Sequence, residues 1–276
     1  MRGFPFWKMS GAGNDFVLMD YREVPWEQWD LSEMAKKICR RRISVGADGL
    51  ILLLPSKRAQ NDFSWRFFNP DGSEAEMCGN GARCAARFAR FKGLASARMR
   101  FETLAGVIEA EVRGEEVKIL LGDAFEMPEE KVLQAAGQEL RLVFVNTGVP
   151  HAVCFVNDVK DVAVVPLGRE IRHHQVFSPA GTNVDFIQIT GPRALKMRTY
   201  ERGVEDETLA CGTGAGASAL AAHFLGQASS PVSVVTRSQR TLTIHFQSRE
   251  NRYGPVYLEG DAQCVYEGRL LPHAYE

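Results

Sequence analysis

Most apolar positions in this chain either alternate with polar ones or run together briefly between turn residues, the two patterns expected of half-buried and buried strands. Phe6-Trp7-Lys8-Met9 and Phe16-Val17-Leu18-Met19 flank the Gly-rich turn Ser10–Asp15 and predict a pair of strands. Leu50 to Leu54 is an unbroken apolar run, and Phe63 to Phe68 a further strand, ending at the turn Asn69-Pro70-Asp71-Gly72-Ser73. Segments 98–103, 106–113 and 116–121 alternate and turn like a meander. After a crossover expected at Asp123 to Glu130, strand patterns resume at 140–146, 151–156, 185–190 and 193–201 and close with 232–237, 240–247 and 255–260. Helical spacing is found at Leu31, Met34, Ala35 and Ile38, predicting an amphipathic helix over 31–42, capped by Asp30 or Ser32 and ending on Arg40-Arg41-Arg42.

Two further stretches predict helices and match each other without a gap. Residues 78–93 and 211–226 share Cys78/Cys211, Gly79/Gly212, Gly81/Gly214, Ala82/Ala215, Ala86/Ala219, Ala89/Ala222, Phe91/Phe224 and Gly93/Gly226. Each begins with a cysteine on a Gly-rich turn, continues through Ala-rich sequence and stops at a glycine suited to a left-handed C-terminal cap. The expected fold is therefore mixed α/β (α+β): two pseudo-symmetric β-rich domains, each wrapping a central helix.

Composition narrows the partners. At 276 residues, 45% hydrophobic and 24% charged, the chain has the content of an ordinary globular protein with room for two medium domains. Its 33 basic and 34 acidic residues give a net charge of −1, without the basic excess of a nucleic-acid or anionic-membrane binder, so small polar metabolites are the expected partners. No secretory leader and no run approaching a membrane span is found, which makes a cytoplasmic location and reduced thiols the expectation for the six cysteines.

The matched helix starts carry the chemistry. A helix N-terminus has unpaired N–H groups and the positive end of the macrodipole, so it favours thiolate over thiol and attracts a carboxylate. Cys78 and Cys211 are read as two acid/base groups facing one carbon across the domain interface, one removing a proton and the other returning one to the opposite face, with a substrate carboxylate held by both helix starts. Cys39, Cys84, Cys154 and Cys264 lack this setting and are expected in the core. Asn14 is expected to present its amide to a ligand from a turn that lacks the third glycine of a dinucleotide fingerprint. His151, after a Gly-x-Pro turn, is a candidate orienting group, and Glu201-Arg202 a candidate acid and cation for a substrate amine and a second carboxylate. No metal site is expected: Cys78 and Cys84 have the wrong spacing, and His173 and His174 would diverge on a strand. Two other classes stay open from the residues alone: a thiol redox pair formed by Cys78 and Cys211, and a non-enzymatic β-rich binding module, which leaves the paired thiols unexplained.

Lys8 to Phe16, Phe68 to Ser73, Cys78 to Cys84, Gly148 to His151, Thr182 to Val184, Tyr200 to Gly203 and Ala210 to Ala215 together resemble the diaminopimelate epimerase family, within the cofactor-independent amino-acid epimerases and racemases. The resemblance covers essentially the whole chain. It implies interconversion of LL- and meso-diaminopimelate without pyridoxal phosphate or metal, for lysine and cell-wall precursor synthesis, by a homodimer. It also implies an N-terminal domain of residues 1–121, to which 262–276 return, and a C-terminal domain of 122–261. By matching motifs, Cys78 and Cys211 are base and acid, Gly79-Asn80 and Gly212-Thr213 hold the reacting carboxylate, Asn14, Asn69, Asn183 and Arg202 recognise the distal end, and His151 and Glu201 lie close to the reacting amine. Gly49 stands where some members have Gln and Val149 where some have a ligand-binding Asn. The related proline racemase and phenazine-pathway isomerase branches differ in local sequence around the catalytic position.

Overall fold

A computed structural model describes residues 3–122 and 125–275. Asp123 and Ala124, at the head of the expected crossover, lie outside the described residues. The chain divides into two compact units, Met1–Ile119 with Gly260–Glu276, and Leu120–Glu259.

The strands and helices of the first part of the chain are β1 (Phe4–Gly11), β2 (Asn14–Asp20), α1 (Leu31–Ile38), β3 (Gly49–Pro55), β4 (Phe63–Phe68), α2 (Gly79–Phe91), β5 (Arg98–Thr103), β6 (Gly106–Arg113) and β7 (Glu116–Gly122). β1 and β2 form an antiparallel hairpin, and α1 carries the chain over to β3, which lies parallel to β2. β3 and β4 form a second hairpin, and α2 carries the chain to β5, parallel to β4. Pleat alternation divides β3 between two helices: Leu50, Leu52 and Leu54 join the core under Leu31, Met34 and Ile38 of α1, whereas Ile51 points at Gly81 of α2.

The remaining elements are β8 (Phe125–Glu126), β9 (Glu129–Ala135), β10 (Gln138–Asn146), β11 (Pro150–Phe155), α3 (Val164–Arg172), β12 (Asn183–Gly191), β13 (Ala194–Glu201), β14 (Asp206–Thr208), α4 (Gly212–Phe224), β15 (Val232–Val235), β16 (Thr241–Arg249), β17 (Arg252–Asp261) and β18 (Gln263–Leu270). The second unit repeats the plan of the first. Hairpin β10/β11 leads through α3 to β12, parallel to β11; hairpin β12/β13 leads through α4 to β15, parallel to β13; and β15 to β17 form the closing meander. Both cysteine helices are therefore crossovers between parallel strands. β18 returns to pair antiparallel with β1 of the first unit, and Leu270 and Tyr275 close the core beneath α1.

Four expectations are corrected. The first helix stops at Ile38 and not at Arg42, because Arg41 turns back to pair with Asp15 and Asp48, and the Gly46 N–H takes the Ile38 carbonyl. The second unit also contains α3, a helix outside the central one that the sequence pattern did not predict. α3 was hidden from the sequence by Pro166 and Gly168, yet the proline stands in the first turn, where no N–H is needed. A Cβ on Gly168 would lie 2.5 Å from Cβ of Tyr200, so the glycine permits α3 to pack on β13. His173 and His174 close this helix and open the next turn, so they do not lie on a strand. Cys39, Cys84 and Cys154 are buried as expected, but Cys264 is exposed on β18, a strand without the alternation that reveals the others. Among the described residues no helix is long and apolar enough to cross a membrane.

Candidate active site

Both cysteines are the N-cap residues of their helices. Cys78 has φ −146° and ψ 117°, Cys211 φ −125° and ψ 115°, and each Sγ accepts the N–H three residues on, from Gly81 or Gly214, at 3.4 Å. Gly93 and Gly226 end the two helices with φ of +67° and +69°, the left-handed cap their sequence predicted.

Around the first helix start, the structure joins Asn14 to Asn80. The Asn80 amide donates to Asn14 Oδ1 at 2.6 Å, and Asn14 donates to Asp48 Oδ2 at 3.1 Å. Arg41 in turn pairs with both Asp48 and Asp15, and Lys8 with Asp15. Burial alone would raise the Asp15 carboxyl, but hydrogen bonds from Arg41 and Lys8 outweigh it and hold the group below its ordinary range. Arg83 is fully buried one turn into the helix and donates to Asn80 Oδ1, to the Gly79 carbonyl and to the Asp261 carbonyl. Asn69 is not drawn into this network: its amide donates to Ser73 within its own turn. A side chain at Gly49 would run into the Phe67 ring, so the position that holds Gln elsewhere is closed by packing in this chain.

The second helix start has a different setting. Cys211 Sγ lies 3.4 Å from Thr213 Oγ1, which lies 3.0 Å from His151 Nε2, while His151 Nδ1 lies 2.7 Å from Asp185 Oδ2. His151 and Asp185 are both fully buried. Neighbouring Val184 and Phe186 face the core under α3, so the pleat turns Asp185 toward α4, where a Cβ on Gly214 would stand 2.5 Å from Oδ1. Thr147 fixes the turn from below, its hydroxyl donating to the Thr213 carbonyl. Asn183 is buried, donates to the Pro150 carbonyl and accepts the Arg202 N–H at 2.8 Å, while the Arg202 side chain donates to the Ala180 carbonyl. Val149 has no side-chain amide to offer, and its carbonyl accepts the Thr147 N–H.

The thiol pKa reading needs revision for Cys211. A helix start by itself lowers a thiol pKa, but burial pushes this one well above its ordinary value, Glu201 and Asp185 add to the rise, and the Thr213 and Gly214 hydrogen bonds only partly oppose it. Glu201 is raised as well, chiefly by burial. Asp185, Asp48 and Arg83 were missed by sequence reasoning. An aspartate inside the apolar run Val184–Ile187 is the signal for the first, since a charged residue is rarely fully buried without a partner. Asp48 stands between Gly46 and Gly49, a setting that by itself suggests only a turn, and Arg83 on a helix face that nothing in the sequence marked as internal.

The family model for diaminopimelate epimerase matches residues 6–126 and 143–265. A diaminopimelate epimerase of Aquifex aeolicus is 49% identical over 98% of this chain and 99% of the relative, and one of Chlorobaculum tepidum is 44% identical over 95% and 99%. Among solved structures, a phenazine biosynthesis protein of the PhzF family from Bacillus anthracis aligns with a TM-score of 0.73 at 18% identity, covering 98% of this chain and 100% of that one. A probable proline racemase from Agrobacterium radiobacter K84 aligns at 0.71 and 14% identity, covering 99% and 95%. At such identities the structural likeness concerns the fold alone. The sequence relatives go further, since they match through both cysteine helices and almost from end to end, and on that ground the chain belongs to the diaminopimelate epimerase family.

Proposed function

We propose that the chain is an isomerase that interconverts LL- and meso-2,6-diaminopimelate, in lysine and peptidoglycan precursor synthesis, by two-base chemistry at Cys78 and Cys211. The observation that carries this reading is the pair of thiols capping matched helix starts. A thiolate takes the α-proton, so the C–H bond breaks as an S–H bond forms; the other thiol gives its proton to the opposite face and is left as thiolate. Charge gathers on the substrate carboxylate as the α-proton leaves. The N–H groups of Gly79-Asn80 and Gly212-Thr213 stabilise it. Asn14, Asn69, Asn183 and Arg202 take the distal amino-acid end, with Glu201 and His151 near the reacting amine. The half-buried Glu201, its carboxyl raised above the ordinary range, supports a place beside an amine. The family likeness also supports a cytoplasmic homodimer, which sedimentation and cell fractionation check.

The deciding experiment follows deuterium incorporation at the α-carbon together with stereochemistry, using pure protein and LL-diaminopimelate in deuterated water. Exchange coupled to formation of the meso isomer is the expected result. A folded protein with reduced thiols that exchanges nothing would reject the substrate and reopen the redox reading of the two cysteines.

A further inference from the structure

The hydrogen-bond chain that ends on Cys211 has a direction. Asp185 Oδ1 accepts from the buried Thr199 hydroxyl at 2.6 Å, and Oδ2 faces His151 Nδ1. An ionised carboxylate only accepts, so Nδ1 carries a proton, and in the neutral imidazole Nε2 is then left as an acceptor. The Thr213 hydroxyl then directs its one proton to Nε2 and offers Cys211 only lone pairs. With the thiol protonated, every link joins a donor to an acceptor. With a thiolate, the last link sets two acceptors against each other. In the other helix the matched residue, Asn80, is tied instead to Asn14 and Arg83.

We propose that Asp185 is a positioning residue for the reaction: by fixing the His151 tautomer it makes Thr213 an acceptor for the Cys211 thiol, and so holds Cys211 as the proton donor of the resting enzyme. The proposal rests on the two-base reading above and assigns the starting protonation of one of its two groups. The charged groups around Cys211 act in the same sense, since the carboxyls of Glu201 and Asp185 both oppose a thiolate, while the Gly214 N–H is the donor that favours one. His151, which faces Glu201 as well as Asp185, stays within the chain. Asp185→Asn removes the lock, because an amide can satisfy Nδ1 either by accepting or by donating. In the Nε2–H tautomer the direction reverses: His151 donates to Thr213, Thr213 donates to Sγ, and the thiolate gains a partner.

Two readouts on the full-length protein test this. Long-range proton–nitrogen spectra of histidine-labelled protein, with His151 identified by comparison with His151→Gln, report the tautomer without any substrate. Nδ1–H is expected in the wild type and a mixture in Asp185→Asn. The pH profile of kcat/KM for diaminopimelate reports the thiol. Its alkaline limb should move to lower pH in Asp185→Asn, with a loss at neutral pH of about 10- to 100-fold, the range typical of partners that orient a functional histidine. Thr213→Ser, which keeps the hydroxyl, should retain the wild-type limb. An Nε2–H tautomer in the wild type overturns the proposal, and so does an unmoved alkaline limb in active Asp185→Asn, since a merely structural role would lower the whole profile without shifting it. Failure of the wild type to exchange an α-proton overturns the two-base reading and the proposal with it, an outcome distinct from either of the others.

Discussion

Cys78 and Cys211 share one backbone geometry and differ in what surrounds it, a half-buried thiol beside a polar amide network in one case and a buried thiol beside carboxyls in the other. Cys78→Ala and Cys211→Ala should each lower epimerisation by about 10²- to 10⁴-fold or more, the usual contribution of an acid/base group, while leaving the circular dichroism spectrum unchanged. Normal turnover in either variant would remove that cysteine from the mechanism. The buried thiols outside the site make a separate statement about stability. Burial pushes Cys154 from its ordinary value of 9.0 up to about 12. Below 9.0 both folded and unfolded chains hold the proton; above it the unfolded chain releases it first, so this group's contribution to stability is lost as pH rises toward 12. Cys154→Ala should therefore make the pH dependence of unfolding shallower in this window, by up to about 1.4 kcal/mol per pH unit. Urea unfolding of both proteins across the window measures it, and equal slopes would refute the argument.

At the scale of elements, each unit places one helix on each face of its first strands, and close contact between helix and sheet depends on what the facing residues leave free. α3 shows this most directly. Gly168 lies against the Cβ of Tyr200, itself fully buried, and lacks any side chain that could be turned aside. Gly168→Ala would raise intrinsic helix propensity by up to about 1 kcal/mol, yet overpacking against a buried strand residue typically costs about 1–3 kcal/mol. Packing decides the sign, and the variant should lower the midpoint of chemical denaturation. A raised midpoint would mean that α3 moves off the sheet at little cost.

The whole chain is built as one unit of continuous sequence and one of two pieces. Leu120–Glu259 contains its own hairpins, crossovers and meander, whereas the other unit needs Gly260–Glu276 to supply the strand beside β1 and the side chains of Leu270 and Tyr275. Truncation after Asp261 should expose the β1 edge and open the core under α1, producing loss of cooperative unfolding and rapid proteolysis in Met1–Ile119, while Leu120–Glu259 expressed alone should fold. A truncated chain with wild-type proteolytic resistance would contradict this division of labour.

The amino-acid sequence by itself determined the two cysteine helices, their glycine caps and most of the strands, because these depend on local spacing and on backbone positions that only certain residues tolerate. It also marked Asn14, at the end of the first hairpin turn, and His151, after a Gly-x-Pro turn at the head of β11, while Asn80 and Thr213 were reached through the family resemblance. Tertiary structure decided what those groups touch. Arg41 left a predicted helix end to hold Asp15 and Asp48, since two carboxylates offered stronger partners than exposed carbonyls. Asp185 became part of the site only because a parallel strand pair set it beside His151 and a crossover helix brought Thr213 above both. Burial at that junction reversed the thiol pKa that the helix start alone implied. Local pattern sets which groups are available; desolvation and long-range contact, which depend on the whole fold, set what each can do.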